Sequence, residues 1–441
     1  MATVAVAAPA RQAEPRGEQA VGDEKFVWVK HWYPIAPLKW LEAARGEGFE
    51  SGLPQIQRQT ILGRDIVLWK DAEGKWRAVE DRCSHRLAAL SLGSVREDGT
   101  LACRYHGWCF NGHGECTHIP QATDATSEAT ACASSRSKVA AFPTLEAAGL
   151  LWVWPDDGPT SWVDSAAAEP AMGSFTKPDA DWMLSDAPVS YDVLFENSFD
   201  PSHTSHTHNG QGVTRGIYAM DLEAKKGKSK AALMALKAFQ ILQTFIGELP
   251  LMLFPDYVRV ALRHVCGGGV VPSRVFQIQD ITMIHNQEGR LARSKSEWKS
   301  QYYHASPSDN GVAIFRKWLH TIAGGGPTWF GRGAEEEVMA NNKAEVYDTW
   351  NRHTRQCPEC RKALRFLGRL DNFLGKLAAG MLAVAVALAV FRTANLRMAV
   401  VATLAAGGAL LARLEMQKLR QKFVTELPSS GMPEFSYQWP S

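Results

Sequence analysis

The pattern of apolar and polar positions changes character along the chain. From Phe26 to about Pro155, short apolar runs alternate with polar positions and are cut by Gly, Asp and Pro: FVWVKHWYPIA, TILGRDIVLWKD, KWRAVED, TLACRYHGWCFN and GLLWVWPDD. Alternation with period two, rich in Val, Ile and Trp, predicts short antiparallel strands and therefore a small all-β domain. Near the C-terminus the apolar pattern becomes continuous. Phe373–Phe391 holds 19 residues with a single charge, and Met398–Ala412 adds 15 uncharged residues after the link RTANLR. At ~1.5 Å per residue the first run can cross a hydrocarbon core of ~30 Å, whereas the second needs its flanks. Arg361, Lys362, Arg365 and Arg369 precede the pair, and Arg413, Lys418, Arg420 and Lys422 follow it. Basic residues at both outer ends predict a helical hairpin with both ends on one side of a membrane; a soluble Ala-rich hairpin is the alternative.

These patterns divide the chain into five parts. Residues 1–24, rich in Ala, Pro, Gly and Gln, read as a disordered leader or transit remnant, with a frayed terminus as the alternative. Residues 25–155 form the β domain, 156–360 a larger second domain, 361–424 the basic segment and apolar hairpin, and 425–441 a tail. Composition adds limits. With 441 residues, 45% hydrophobic and 21% charged, the chain can bury sizeable cores. A net charge of +2 offers no basic face for nucleic acid. Eight cysteines are too few for a disulfide scaffold of this length and suit a reducing compartment.

Four of the candidate ligands lie inside the β domain as Cys83-x-His85 and Cys103-x-x-His106, 17 residues apart. Zinc modules usually start with a Cys pair and end with a His pair, but here each half supplies one of each. A Rieske 2Fe-2S cluster takes two Cys on one iron and two His on the other, so two mixed loops can hold both irons. Gly93, Gly99 and Gly107 supply turn freedom, and Trp108 would shield the cluster. Respiratory-type domains resemble one another in an additional loop disulfide; Ala88 and Arg104-Tyr105 stand at those places here. That predicts a potential toward the low end of the Rieske range, near about −150 mV. Cys109 and Cys116 read as small buried thiols.

A second constellation follows in LFENSFDPSHTSHTHNG. On a helix Asn197, Asp200 and His203 recur at i, i+3 and i+6 and share one face, and Asn209-Gly210 could end that helix. His206 and His208 lie just beyond. A ferrous oxygenase needs two imidazoles and one carboxylate on one face of the iron, with positions open for dioxygen and substrate.

The spacing Asn197-x-x-Asp200-x-x-His203-x4-His208, downstream of the Cys/His site, resembles that of the Rieske non-haem iron oxygenases. The resemblance implies that His203 and His208 bind iron and that Asp200 bridges to the Rieske histidine of a neighbouring subunit in a homotrimer. His206 is the competing ligand, because its i+3 relation to His203 suits an unbroken helix. A closer resemblance, to the pheophorbide a oxygenase group, runs through CSHRLAALSLG, CRYHGWCFNGHGECTHIPQAT, ENSFDPSHTSHTH, IQDITMIHNQE, FRKWLHTIAGG and RHTRQCPEC. It implies an α+β architecture: an N-terminal Rieske β domain, a helix-grip-like catalytic domain and a C-terminal transmembrane hairpin. It also implies Asp280 as the carboxylate ligand, although from the sequence alone any downstream Asp or Glu could serve.

The same resemblance implies ferredoxin as electron donor, dioxygen and a chlorophyll-derived tetrapyrrole as substrates, and a chloroplast membrane, thylakoid or inner envelope, with the catalytic domain on the stromal side. Cys357-Pro358-Glu359-Cys360 is half a zinc site on its own. It is also a pair able to form a reversible disulfide, which the resemblance connects with thioredoxin; an inert pair is the alternative. The run Lys225-Lys226-Gly227-Lys228-Ser229-Lys230 reads as a solvated loop, with docking of an acidic ferredoxin as the alternative. Two rival functions stand beside this one: a membrane-tethered Rieske carrier or sensor without oxygenase activity, and an oxygenase of another hydrophobic substrate such as a sterol.

Overall fold

A computed structural model describes residues 25–44, 56–171, 309–327, 347–390 and 396–425, together with most of 182–200, His203 and parts of 280–304. The predicted β domain is present as three antiparallel sheets. β1 (Tyr33–Pro37), β11 (Leu150–Val153) and β10 (Thr144–Ala147) form the first in the order β1-β11-β10. The second, β2-β3-β4-β9, is built from β2 (Ile56–Ile61), β3 (Arg64–Lys70), β4 (Trp76–Glu80) and β9 (Ala141–Phe142). The third, β5-β6-β7-β8, is a set of short strands: Ser94–Val95, Leu101–Ala102, Cys109–Phe110 and Cys116–His118.

Strand β3 joins the two halves of this domain. Its side chains alternate between faces, and it is buried on both. Ile66 and Leu68 pack with Leu151, Val153 and Phe142, whereas Val67 and Trp69 pack with Cys83, Leu90, Leu101, Cys103 and Phe110. The third sheet and its loops are thereby mounted on one face of the second. Trp69 adds a hydrogen bond, its indole N–H donating to the Gly99 carbonyl at 3.0 Å. Helix α2 (Ala125–Ala133) starts with a capping box between Asp124 and Ser127 and returns Glu128 to β8, where it meets His118 Nδ1 at 2.6 Å and accepts from the Ile119 N–H at 2.9 Å. The first run, FVWVKH, forms turns rather than a strand: Phe26 and Trp28 reach across to the second domain, and the Trp28 indole donates to the Ala323 carbonyl.

Helix α1 (Leu38–Ala44) belongs to the β domain; in the second, besides α3 (Ser161–Ala167), the described part centres on two helices, α4 (Tyr191–Phe199) and α5 (Asn310–Thr321). Arg316 of α5 is buried between Glu196 and Asp192 of α4, pairing with both carboxylates. Gly311 lies against the end of α4, where an added Cβ would sit 2.5 Å from the Phe199 carbonyl. The helix-grip sheet expected for this domain falls on residues outside those described.

The predicted hairpin is two long helices, α6 (Pro358–Val390) and α7 (Leu396–Lys422). Both extend past the apolar runs, since their charged flanks continue the helical geometry. They run antiparallel, with buried Asp371 of α6 accepting from Arg413, Gln417 and Arg420 of α7 at 3.1–3.2 Å. Both are long and apolar enough to cross a membrane, and only 11% and 22% of their most apolar windows are buried. Leu382, Val386, Val390, Val400, Leu404 and Leu411 all face outward, unlike the side chains of a core helix.

Candidate metal centres

The two cluster loops leave β4 and β6 and share one backbone plan. Cys83 N–H donates to the Ala88 carbonyl and Leu87 N–H to that of Cys83, while Cys103 N–H donates to Trp108 and Gly107 N–H to Cys103. In each loop the fourth residue after the Cys has positive φ, +60° at Leu87 and +76° at Gly107. A non-glycine residue there costs roughly 1–2 kcal/mol, so Leu87 marks backbone held against its preference at the loop tip. Gly93, expected to supply turn freedom, is extended; it is glycine because a Cβ would lie 2.1 Å from the Ala102 carbonyl.

These loops bring all four candidate ligands together. Cys83 and Cys103 are buried at 1% and 2% exposure. The His85 and His106 rings stand edge to face with centroids 4.6 Å apart, and Trp108 stacks on His85 at 4.7 Å, in the shielding place expected of it. Burial, and then the neighbouring Cys103, push the Cys83 thiol up to about 11, while burial, His106 and Arg86 lower the His85 pKa. His85 Nδ1 is buried with no hydrogen-bond partner among the described residues. Two adjoining thiols and an orphaned imidazole nitrogen fit a cationic cluster that takes both sulfurs as thiolates. Cys109 and Cys116 are buried thiols outside this set, Cys116 lying 3.7 Å from Cys132.

At the second constellation the helix ends earlier than its pattern suggests. Asp200 is the C-cap of α4 with φ −100° and ψ 97°, and His203 lies in a turn beyond it, so Asn197, Asp200 and His203 do not share one helical face. Pro201 is the cause: it disfavours the α conformation in the residue before it and offers no N–H to continue the ladder. The turn produces a different juxtaposition. His203 Nδ1 faces the Asp200 carbonyl, and Nε2 stands 3.6 Å from Asp280 Oδ1. Since a carbonyl only accepts, Nδ1 carries the proton and Nε2 presents its lone pair. A separation of 3.6 Å is longer than a hydrogen bond, yet one ion ~2.1 Å from each atom could join them. His206 and His208 lie outside the described residues, as does the Lys225–Lys230 run.

Earlier on α4, buried Glu196 accepts from Arg316, Gln287 and Tyr302. Burial and the Glu196 carboxylate push the Tyr302 hydroxyl up to about 12. The network fixes α4, and with it the start of the His203 turn, against α5. Glu196, Gln287 and Arg316 lie in the stretches ENSFDPSHTSHTH, IQDITMIHNQE and FRKWLHTIAGG that carry the resemblance, but nothing in the sequence singled them out as partners of one another, and Tyr302 lies outside those stretches.

A third cluster was only half legible. Cys357 and Cys360 sit at the start of α6, and His353, in the turn of π-helix before it, joins them; all three are fully buried. The signal was present in RHTRQCPEC as a His four residues before the first Cys.

Comparison with known proteins gives this geometry a family context. A model of the Rieske [2Fe-2S] domain matches residues 32–143. The chain is 28% identical to the chloroplastic pheophorbide a oxygenase of Oryza sativa subsp. japonica over 431 residues, covering 83% of this chain and 79% of that protein. For the Arabidopsis thaliana protein of that name the identity is 29% over 432 residues, covering 82% and 78%. The chloroplastic chlorophyllide a oxygenase of Chlamydomonas reinhardtii is 35% identical over 148 residues, covering 34% and 21%.

Proposed function

From a chain that carries a Rieske [2Fe-2S] domain and is homologous over most of its length to Rieske-type oxygenases, we propose an oxygenase that uses ferredoxin electrons and dioxygen to oxidise a chlorophyll-derived tetrapyrrole. The observation that carries this reading is the approach of His203 Nε2 to Asp280 Oδ1 at 3.6 Å, because a carrier needs no second metal-binding pair. The bound groups supply single-electron transfer at the 2Fe-2S cluster and dioxygen activation at a ferrous ion with open positions.

The chain's own residues have distinct tasks. Cys83, Cys103, His85 and His106 hold the cluster, and Trp108 keeps water from one imidazole face. His203, His208 and Asp280 form the iron ligand set. The Asp200 carbonyl keeps His203 in the tautomer whose Nε2 can ligate, and Asp200's carboxylate is the electron bridge across the subunit boundary of a trimer. Asn197, on the last turn of α4, is the remaining residue of the motif. No side chain acts as a nucleophile.

The names of the plant relatives, together with the outward-facing apolar helices, support attachment to a chloroplast membrane; on this reading it is the thylakoid or inner envelope, with the catalytic domain on the stromal side. Such a site suits a poorly soluble pigment. A thioredoxin acting on Cys357 and Cys360 would have to reach thiols that are fully buried here.

The test is oxygen uptake by the purified, iron-replete protein with reduced ferredoxin, with and without pheophorbide a, followed by mass analysis of the pigment. Pigment-dependent uptake with oxygen incorporated is the expected result. A cluster that reduces normally but drives no uptake with that pigment or its close relatives would overturn the tetrapyrrole reading.

A further inference from the structure

A C-x-x-C pair is half a metal site until the fold supplies more ligands, and here the fold supplies one. His353 Nε2 lies 3.2 Å from Cys360 Sγ, and these atoms and Cys357 Sγ all fall within 4.8 Å of one another. All three residues have 0% exposure.

The imidazole is prepared for coordination. His353 Nδ1 is 2.7 Å from the Leu184 carbonyl, which can only accept, so Nδ1 holds the ring proton and Nε2 turns its lone pair toward the sulfurs. An imidazole hydrogen-bonded through its other nitrogen to a carbonyl is the usual second partner of a metal-bound histidine. The Trp40 ring meets that of His353 edge to face at 5.6 Å, fixing its plane. The five-residue π-helix Trp350–Thr354 delivers the ring, and π turns inside helical segments gather at functional positions. On a tetrahedral zinc ion, donor atoms stand about 3.5–3.8 Å apart, given bond lengths of ~2.0–2.3 Å. The three atoms already approach that spacing. Glu359 lies outside this trio: its Oε2 is 3.4 Å from Cys357 Sγ, and its Oε1 pairs with Lys39 at 3.2 Å.

We propose that His353, Cys357 and Cys360 bind a soft divalent cation of the zinc class, separate from both iron centres. Two thiols give up their protons on binding, the imidazole stays neutral, and no electron moves. Thiolate and imidazole donors together favour zinc over oxygen-seeking cations. The site's position suggests its purpose. Around it, Trp40 of the β domain, the first turns of α6 and Phe423 beyond α7 share one buried cluster, and the Leu184 carbonyl enters from the linking segment. A cation there would clamp the β domain to the base of the apolar hairpin.

The experiment uses the full-length, cluster-replete protein, dialysed against Zn(II) and then against metal-free buffer. We expect one equivalent of zinc per chain in addition to iron, with sulfur and nitrogen in its first shell by zinc-edge X-ray absorption. Cys357→Ser and His353→Ala should each lower zinc to background while the 2Fe-2S resonance persists, and Cys132→Ser should retain it. Absence of zinc in the wild-type protein, or a first shell of oxygen and nitrogen alone, would overturn the proposal without recourse to any variant. So would full zinc retention in both substituted proteins. Recovery of Cys357 and Cys360 as a disulfide in zinc-free protein would also overturn it, in favour of a redox pair.

Discussion

His203 Nε2 and Asp280 Oδ1 stand 3.6 Å apart, although they come from separate stretches of the chain that only the family resemblance had joined. One is held in a turn that Pro201 forces on the end of α4, and the other lies in a separate helical segment. Replacing either His203 by Ala or Asp280 by Ala should remove the mononuclear iron and abolish oxygen uptake. The cluster irons should remain, since their ligands are elsewhere. Iron analysis combined with the reduced-cluster resonance checks this, and loss of both irons and resonance together would argue against two separate centres.

Trp108 covers one face of His85 at 4.7 Å. Trp108→Ala should open the cluster to water without removing a ligand. The expected outcome is an intact but labile cluster, whose visible absorbance in air decays several-fold faster than in the wild-type protein. An unchanged decay would show that the stacking has no protective role.

Arg316 is 8% exposed between Glu196 and Asp192. Desolvation opposes its charge, yet the two carboxylates hold its pKa above the usual guanidinium value. Removing one partner of such a pair leaves buried charge uncompensated, so Arg316→Ala should destabilise the protein by about 3–5 kcal/mol. Because α4 leads into the His203 turn, iron affinity should fall as well. Denaturant titration and iron retention measure the two effects.

Glu128 joins α2 to β8. The Ile119 N–H and then the His118 side chain hold its pKa below the ordinary 4.5. With the folded pKa depressed, its stabilising contribution is present above 4.5 and is lost as pH falls through the lower folded value. Glu128→Gln should therefore be less stable than wild type at neutral pH, and the difference should close as pH falls below the depressed folded value. Parallel denaturant titrations across that range test it; a difference that persisted into acid would indicate packing rather than charge.

The outward faces of α6 and α7 carry Leu382, Val386 and Leu404. If they meet lipid, a charge there is costly: about 2.5–3.5 kcal/mol for Arg at a helix centre. Leu382→Arg should reduce recovery of the protein with vesicles in flotation, whereas Lys418→Ala, on the exposed root of α7, should not. Equal flotation of both proteins would favour a soluble hairpin.

The sequence by itself determined what depends on local pattern and short spacing. The short apolar runs predicted β1, β3, β4, β6, β7 and β11, because a strand against a core must place apolar groups on its buried face, whereas β2, β5, β8, β9 and β10 lie mostly outside those runs. The Cys/His spacing predicted the cluster loops, because their ligands lie within a few residues and each loop closes through its own backbone hydrogen bonds. Continuous apolar runs predicted the two C-terminal helices. Tertiary structure decided what depends on distant residues meeting. The division of β3 between two cores, the burial of Arg316 between two carboxylates and the placing of Asp280 against His203 are consequences of chain crossings that no window of sequence contains. The same is true of His353: the fourth residue before a Cys could point anywhere until a π-helical turn and the Leu184 carbonyl fix where its Nε2 points.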